Sequence, residues 1–241
     1  TYTRLPLKKS AHIIQGNALR MDWEALVPKP AAAEKEATLF ILGNPPFVGK
    51  HNRTDQQTRD MQVLGAALTG LGVLDYVCAW YMKATEYIRC TKIEAAFVST
   101  NSITQGEQAG VLWPWLFGKG VKIHFAHRTF KWSNEARGVA HVYCVIIGFA
   151  AFDTPVKYLY DYETPAGEPM EIRAQNINPY LVDADDIVIT SRNRPLQNVP
   201  TMVYGNKPVD GGNFFMTDAE KNEFLNKEPR AEKYVRRIFG S

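Results

Sequence analysis

Hydrophobic positions along the chain switch between a period of two and a period near 3.6, and the switches predict its elements. Residues 11–15 (AHIIQ) form a short apolar run closed by Gly16 and predict a strand. A Pro/Ala/charged connection over 28–36 leads into residues 38–42 (TLFIL), whose unbroken apolarity is the pattern of a strand buried on both faces, as in a parallel sheet. Helical periodicity runs over 55–69 and again over 74–89, where Tyr76, Val77, Trp80, Tyr81, Ala84 and Ile88 share one broad face. Residues 95–99 (AAFVS) predict the next strand, 105–117 a helix, 121–126 an alternating strand and 141–149 a long apolar one.

This alternation of strand and helix is the signature of an α/β fold with a mostly parallel sheet. Residues 121–126 and 141–149 leave no room for a crossover helix, so the pair predicts an antiparallel hairpin over 121–149 with a long loop. Beyond Phe152 the character changes. Residues 156–162, 187–190 and 214–216 are short strand candidates among many prolines and asparagines, and 218–238 is a charged helical pattern interrupted at Pro229. Two regions are therefore expected: a core over 1–150 and an extension over 151–241.

At 45% hydrophobic and 12% aromatic, the 241 residues can bury a substantial core, which excludes a disordered chain. The longest apolar runs are too short to span a bilayer, and residues 1–10 lack the apolar region of a signal peptide. The three cysteines have no metal-ligand spacing. Cys78 falls in a helical pattern and Cys144 in a strand pattern, both expected as reduced packing residues, so a cytoplasmic location is expected. The five histidines show no HxxxH or HExxH spacing, and GxSxG and P-loop motifs are missing, so no metal is expected. A net charge of +3 is compatible with a nucleic-acid partner without requiring one.

The chemistry concentrates at Gly43-Asn44-Pro45-Pro46-Phe47. A buried strand runs out, Gly43 releases it, and two prolines set the next turns of backbone. Asn44 brings a side-chain carbonyl, and the Pro45 carbonyl is left free because neither proline has an N–H. Two acceptors side by side can take both hydrogens of an exocyclic –NH₂, drawing the nitrogen toward sp³ geometry and freeing its lone pair for an electrophilic methyl. Phe47 offers a π-face to a flipped-out base. Open α/β sheets place ligands at the carboxyl ends of their strands, and this peptide sits at one.

With these residues the chain resembles the amino-methyltransferases that use S-adenosylmethionine, whose fourth motif is this tetrapeptide. Gly16-Asn17-Ala18-Leu19 with Asp22-Trp23 is similar to their third motif, Leu74-Asp75-Tyr76 to the fifth and residues 95–102 (AAFVSTNS) to the sixth. Residues 127–132 (HRTFKW) stand where the eighth supplies an aromatic to the other face of the target base. More narrowly, "NPPFVGK", "STNSITQGEQ" and "FAHRTFKW" resemble the MmeI-like fused restriction–modification enzymes, and Gly205-Asn206-Lys207-Pro208 with Gly211-Gly212 their linker into target recognition.

The resemblance implies a Rossmann-like class I methyltransferase sheet, S-adenosylmethionine as cofactor, and double-stranded DNA with a flipped adenine as partner. It implies Asn44, Pro45, Pro46 and Phe47 as catalytic residues, Phe130 or Trp132 as the second stacking face, and Asn17, Ala18, Leu19 and Asn44 as cofactor contacts. Lys50, His51, Arg53, Arg128 and Lys131 are candidate phosphate contacts, Arg137 a further one. The expected reaction is in-line methyl transfer to adenine N6 with no strong side-chain base. Alternatives with the same tetrapeptide are guanine N2 of RNA, a protein glutamine amide, or a non-catalytic nucleic-acid-binding module.

The family's glycine-rich first motif and acidic second motif do not occur before Gly16, which leads to the expectation of a catalytic-domain fragment with an incomplete cofactor site. In the family's sheet the first strand lies beside the one ending at Asn44. The expectation is therefore that residues 11–15 move into that gap, or that another chain or an N-terminal segment covers the edge.

Overall fold

The computed structural model describes residues 11–30, 39–132, 142–192, 195, 197–200 and 211–237. Two units separate at residue 191, Thr1–Ser191 and Arg192–Ser241. The first contains a short helix α1 (Trp23–Leu26), strand β1 (Phe40–Gly43), helices α2 (Asp55–Leu64) and α3 (Cys78–Ile88), strand β2 (Glu94–Thr100), helix α4 (Gly106–Gly118), and strands β3 (Lys122–Trp132), β4 (Val142–Ala150), β5 (Lys157–Tyr162) and β6 (Pro169–Ala174). The second contains α5 (Asp218–Lys227), succeeded by a 3₁₀ turn over Pro229–Tyr234. Pro229 ends the helix as expected, since it has no N–H to continue the ladder.

One six-stranded sheet runs in the order β1-β2-β4-β3-β5-β6. β1 with β2 and β3 with β5 are parallel pairs, whereas β4 lies antiparallel between β2 and β3, and β6 antiparallel beside β5. β1, β2, β3 and β5 therefore point one way, the mostly parallel α/β sheet the periodicity predicts. The β3–β4 pair is the expected antiparallel hairpin. Four carboxyl ends consequently meet on one rim.

The core lies between one face of this sheet and helices α3 and α4. α3 is apolar on most sides, and Cys78, Ala79, Tyr81, Met82, Ala84, Thr85 and Ile88 are all inaccessible to solvent. Tyr81 sits at the centre, stacked on Phe149 at 5.2 Å and edge-on to Phe97 at 5.3 Å and to Trp113 at 6.2 Å. Its hydroxyl shares a 2.8 Å hydrogen bond with Ser99, so the polar tip of a fully buried ring is satisfied. Burial raises the thiol pKa of Cys78, and that of Cys144 to about 11, which keeps both as packing residues.

Several expectations from the pattern are corrected. Residues 11–15 form no strand and lie exposed, because two isoleucines without a paired backbone gain nothing from extension. β1 is thus an outer edge among the described residues, and with Phe40 57% and Leu42 78% exposed it is not the strand buried on both faces that its unbroken apolarity predicts. Residues 11–15 do not fill the gap beside it. Residues 187–190 and 214–216 are likewise not strands, four and three residues being too short to hold a ladder without a partner. Conversely β6 escaped the pattern. It opens on Pro169 and is an exposed edge strand, the one place a proline fits a sheet. Residues 205–208 and Arg137 lie outside the described residues.

Gly148 on β4 shows how tightly β3 and β4 pack. A Cβ there would meet the Phe125 ring at 2.0 Å. Gly148→Ala is expected to lower stability by about 1–3 kcal/mol in urea unfolding. Gly118→Ala, where a Cβ would meet nothing within 4 Å, is expected to stay within about 0.5 kcal/mol.

Candidate active site

β1 delivers its last residue, Gly43, opposite Phe97 of β2, with the Phe97 ring 3.0 Å from where a Cβ would stand. A larger residue would displace either the turn or the core beneath it, so glycine is needed for close approach. The chain then turns at the rim. Asn44 and Pro46 are exposed, Pro45 is buried and Phe47 is half-buried. The Asn44 side chain is bonded to no other described residue. Pro45 anchors the bend, Asn44 faces out with its amide unspent, and the Phe47 ring remains partly accessible.

The loop after the tetrapeptide is tied down from behind. The Tyr76 amide donates to the Val48 carbonyl at 2.9 Å. Asp75, itself buried, accepts from Ser102 Oγ at 2.8 Å and Thr100 Oγ1 at 3.2 Å, while its own amide donates to Gln108 Oε1 at 2.9 Å. Residues 75 and 76 thus join the loop behind Phe47 and the first turn of α4 through their backbone amides, and the end of β2 through the Asp75 carboxylate. An open cleft of about 580 Å³ adjoins this node, lined among others by Gly49, Lys50, His51, Asn101 and Ser102.

A second carboxylate holds the segment before β1. Asp60, on α2, is buried and accepts from Arg20 Nε at 2.9 Å, Tyr76 OH at 2.9 Å, Asn17 Nδ2 at 3.2 Å and Gln56 Nε2 at 3.3 Å. The Arg20 hydrogen bond, helped by Tyr76 and Gln56, holds the carboxyl below the ordinary aspartate value against the opposing effect of burial.

The expected cofactor contacts fall beside this carboxylate. Asn17 spends its side chain on Asp60 and on the Leu19 amide at 3.0 Å. The Ala18 carbonyl accepts from Trp23 Nε1 at 2.8 Å, and Leu19 is in the core. Of the four, Asn44 alone presents an unspent side chain.

The expected stacking residues end β3, which is displaced from regular register by bulges between Ile123 and Phe125 and between His127 and Phe130. Phe130 pairs with Cys144, which pairs with Thr100, so these three form one row across the rim end of the sheet. β1 and β3 are separated by β2 and β4, three inter-strand spacings or about 14 Å. The half-buried Phe130 ring stacks on Tyr162 at 5.5 Å, and Trp132 lies 6.0 Å from Phe130 and is 38% exposed.

Among the expected phosphate contacts, Lys50 and His51 are exposed on the loop after the tetrapeptide, and Lys131 is half-buried. Arg53 turns inward: Nη2 donates to the Gly72 carbonyl at 3.0 Å and Nη1 approaches Met61 Sδ at 2.7 Å. Arg128 is held by Asp161 at 2.8 Å and by the Leu181 carbonyl at 2.8 Å. Both arginines serve the scaffold, a commitment no sequence spacing reveals.

Asp60, Ser102, Gln108 and Tyr162 were not legible as site residues. Asp60 sits in a polar helical stretch that reads as a solvated face. Tyr162 closes a short strand candidate and acquires a role only through its neighbour on β3.

The comparisons with known proteins agree with this geometry. The family model described as "MmeI, DNA-methyltransferase domain" matches residues 1–161, and "MmeI, target recognition domain" matches residues 183–241. "DNA methyltransferase A" of Bacillus subtilis (strain 168) is 37% identical over 238 residues, 98% of this chain and 26% of that protein. Among solved structures, the Type IIL restriction-modification enzyme MmeI in complex with DNA is 51% identical and superposes with a TM-score of 0.86 over 99% of this chain and 31% of that one. The chain therefore spans about a quarter to a third of the proteins it matches.

The Asp60 cluster yields a test by acid titration. A carboxyl whose folded-state pKa lies below its unfolded value adds stability above that unfolded value and loses it as pH falls through the folded one. Asp60 should therefore contribute fully above about pH 5, with its contribution fading below the ordinary aspartate value of 3.8. Asp60→Asn is expected to be less stable at neutral pH and to show a flatter decline below pH 4, measured as thermal midpoint against pH.

Proposed function

This chain belongs to the MmeI DNA-methyltransferase domain family, and on that premise we propose that it carries the methyl-transfer core of a restriction–modification enzyme acting on the exocyclic N6 amine of adenine in DNA. The observation that carries the reading is Asn44, exposed at the carboxyl end of β1 with its side-chain amide unspent, between a buried Pro45 and a half-buried Phe47. In this reading residues 1–150 form the catalytic core, and 151–241 extend it toward target recognition; the match to a target recognition domain over 183–241 supports the role of the later part.

The Asn44 side-chain oxygen and the Pro45 carbonyl accept the two hydrogens of the adenine amino group. This draws the nitrogen out of conjugation with the ring and directs its lone pair outward, an electrostatic effect exerted by groups already in place. Phe47 stacks on one face of the extruded base, and an aromatic from the end of β3, Phe130 or Trp132, on the other. Unstacking a base from the duplex costs a few kcal/mol, and burying it between two rings offsets that cost. Once alkylated, the nitrogen is acidic enough to lose its proton to water, so no histidine or glutamate base is assigned.

S-adenosylmethionine, the cofactor that family membership implies, would supply the electrophilic methyl. The described residues fit the base-receiving half of such a site. Toward the cofactor they contribute Asn44 and the backbone and shape of residues 17–19, whose polar side-chain atoms are engaged with Asp60 and the Leu19 amide. Lys50, His51 and Lys131 hold phosphates of double-stranded DNA beside the flipped nucleotide, fixing register without reading sequence. Arg128, sharing its charge with Asp161, adds less, and Arg53 serves the loop instead.

The full-length protein, given methyl-labelled S-adenosylmethionine with plasmid DNA, RNA and protein acceptors, is expected to form N6-methyladenine in DNA. Asn44→Ala is expected to lower the rate roughly 10²–10³-fold while DNA binding persists. Label appearing in RNA or in a glutamine amide, or an Asn44→Ala rate close to wild type, would sink this reading.

A further inference from the structure

Between His127 and Phe130 one extra residue on β3 interrupts its pairing with β4, and His127 is the last residue of β3 paired with β5. There His127 lies flat on Tyr160, ring centres 4.4 Å apart at 11°. Its Nδ1 is 2.7 Å from the hydroxyl of Tyr162, the last residue of β5. The Tyr162 ring in turn stacks on Phe130, 27° from coplanar. Burial pushes the His127 pKa down, so the imidazole is neutral near pH 7.

This is a chain of orientation. A phenylalanine at a strand end has two free torsions and no polar atom, so only packing can fix its plane. Here the stacked contact is the face of Tyr162 at 5.5 Å, with the His127 ring edge-on at 6.4 Å and Trp132 tilted at 6.0 Å. Tyr162 alone could turn about its own torsions, but its hydroxyl is pinned by His127, and His127 is clamped by the Tyr160 ring. Tyr160 is anchored at its far end by a 3.1 Å hydrogen bond to Glu171 on β6. The ring stacked on Phe130 is thus held from β5 and β6, at the opposite side of the sheet from β1.

We propose that His127 and Tyr162 are positioning residues for base flipping: their hydrogen bond sets the ring plane of Phe130, and through it the second stacking surface for the extruded adenine. The inference rests on Phe130 being that surface.

Binding to two duplexes separates this role from a merely structural one. Both carry the methylated site mapped for the full-length protein, one with adenine at the target position and one with an abasic analogue that leaves nothing to stack. Tyr162→Phe, which keeps the ring and removes only the hydroxyl, is expected to weaken binding to the adenine duplex roughly three- to tenfold and to leave the abasic duplex unchanged. Phe130→Ala should show the same selectivity with a larger loss, and Tyr162→Phe should add nothing further in that background. Equal weakening of both duplexes by Tyr162→Phe, no weakening at all, or an undiminished effect in the Phe130→Ala background overturns the proposal. If Phe130→Ala itself fails to discriminate between the duplexes, Phe130 is not the stacking face, and the proposal falls together with that assignment.

Discussion

The Tyr81 ring is the contact on which the remaining architecture depends. It lies against Phe149 of β4, Phe97 of β2 and Trp113 of α4, and its hydroxyl closes onto Ser99. Two helices and two adjacent inner strands, β2 and β4, therefore share one buried side chain. Aromatic residues bury more area than any other type, and such paired rings add about 0.5–1.5 kcal/mol beyond that burial. The strands so joined are the ones whose neighbours carry chemistry. β2 pairs directly with β1, which delivers Asn44, and β4 pairs directly with β3, which delivers Phe130.

Two buried carboxylates transmit that order to the rim. The Asp75 carboxylate ties the entry of α3 to the end of β2, and the neighbouring Tyr76 amide holds the loop behind Phe47. Asp60 holds the turn over residues 17–20. Each receives several hydrogen bonds, which is what makes a buried acid tolerable. Asp60 spends both of its oxygens on its partners, whereas Asp75 also lines the open cleft. This division suits the proposed reaction, whose demand is placement: two carbonyl oxygens and two aromatic faces around one amino group need fixed positions more than proton transfer.

The sheet is asymmetric in its exposure. The Tyr81 face is closed by α3 and α4, while β1 stands at the edge with Phe40 and Leu42 open and its outer backbone groups unpaired among the described residues. An edge of this kind is a template for pairing. Residues 11–15 are excluded from the place beside it by their own conformation.

Local patterning carried much of this protein. The apolar run before Gly43, the helical face from Tyr76 to Ile88 and the close spacing of β3 and β4 determined the α/β class, the mostly parallel sheet and the hairpin, because burial of a face leaves a period in the sequence. That β1 is an exposed edge and not a strand buried on both faces was decided by the fold. The tetrapeptide was legible for a related reason: two prolines in succession constrain backbone wherever they stand, and a strand before them locates the bend at a rim. Tertiary structure alone decided which polar residues face outward. Arg53 and Arg128 read as free cations until Gly72 and Asp161 are brought to them, and Asp60 reads as a solvated acid until Arg20, Asn17 and Tyr76 converge on it. The same holds for the orientation of Phe130, which is set by a hydrogen bond between His127 and Tyr162, 35 residues apart in the chain. Hydrogen bonds between residues so distant leave no period behind, so only the folded arrangement could assign them.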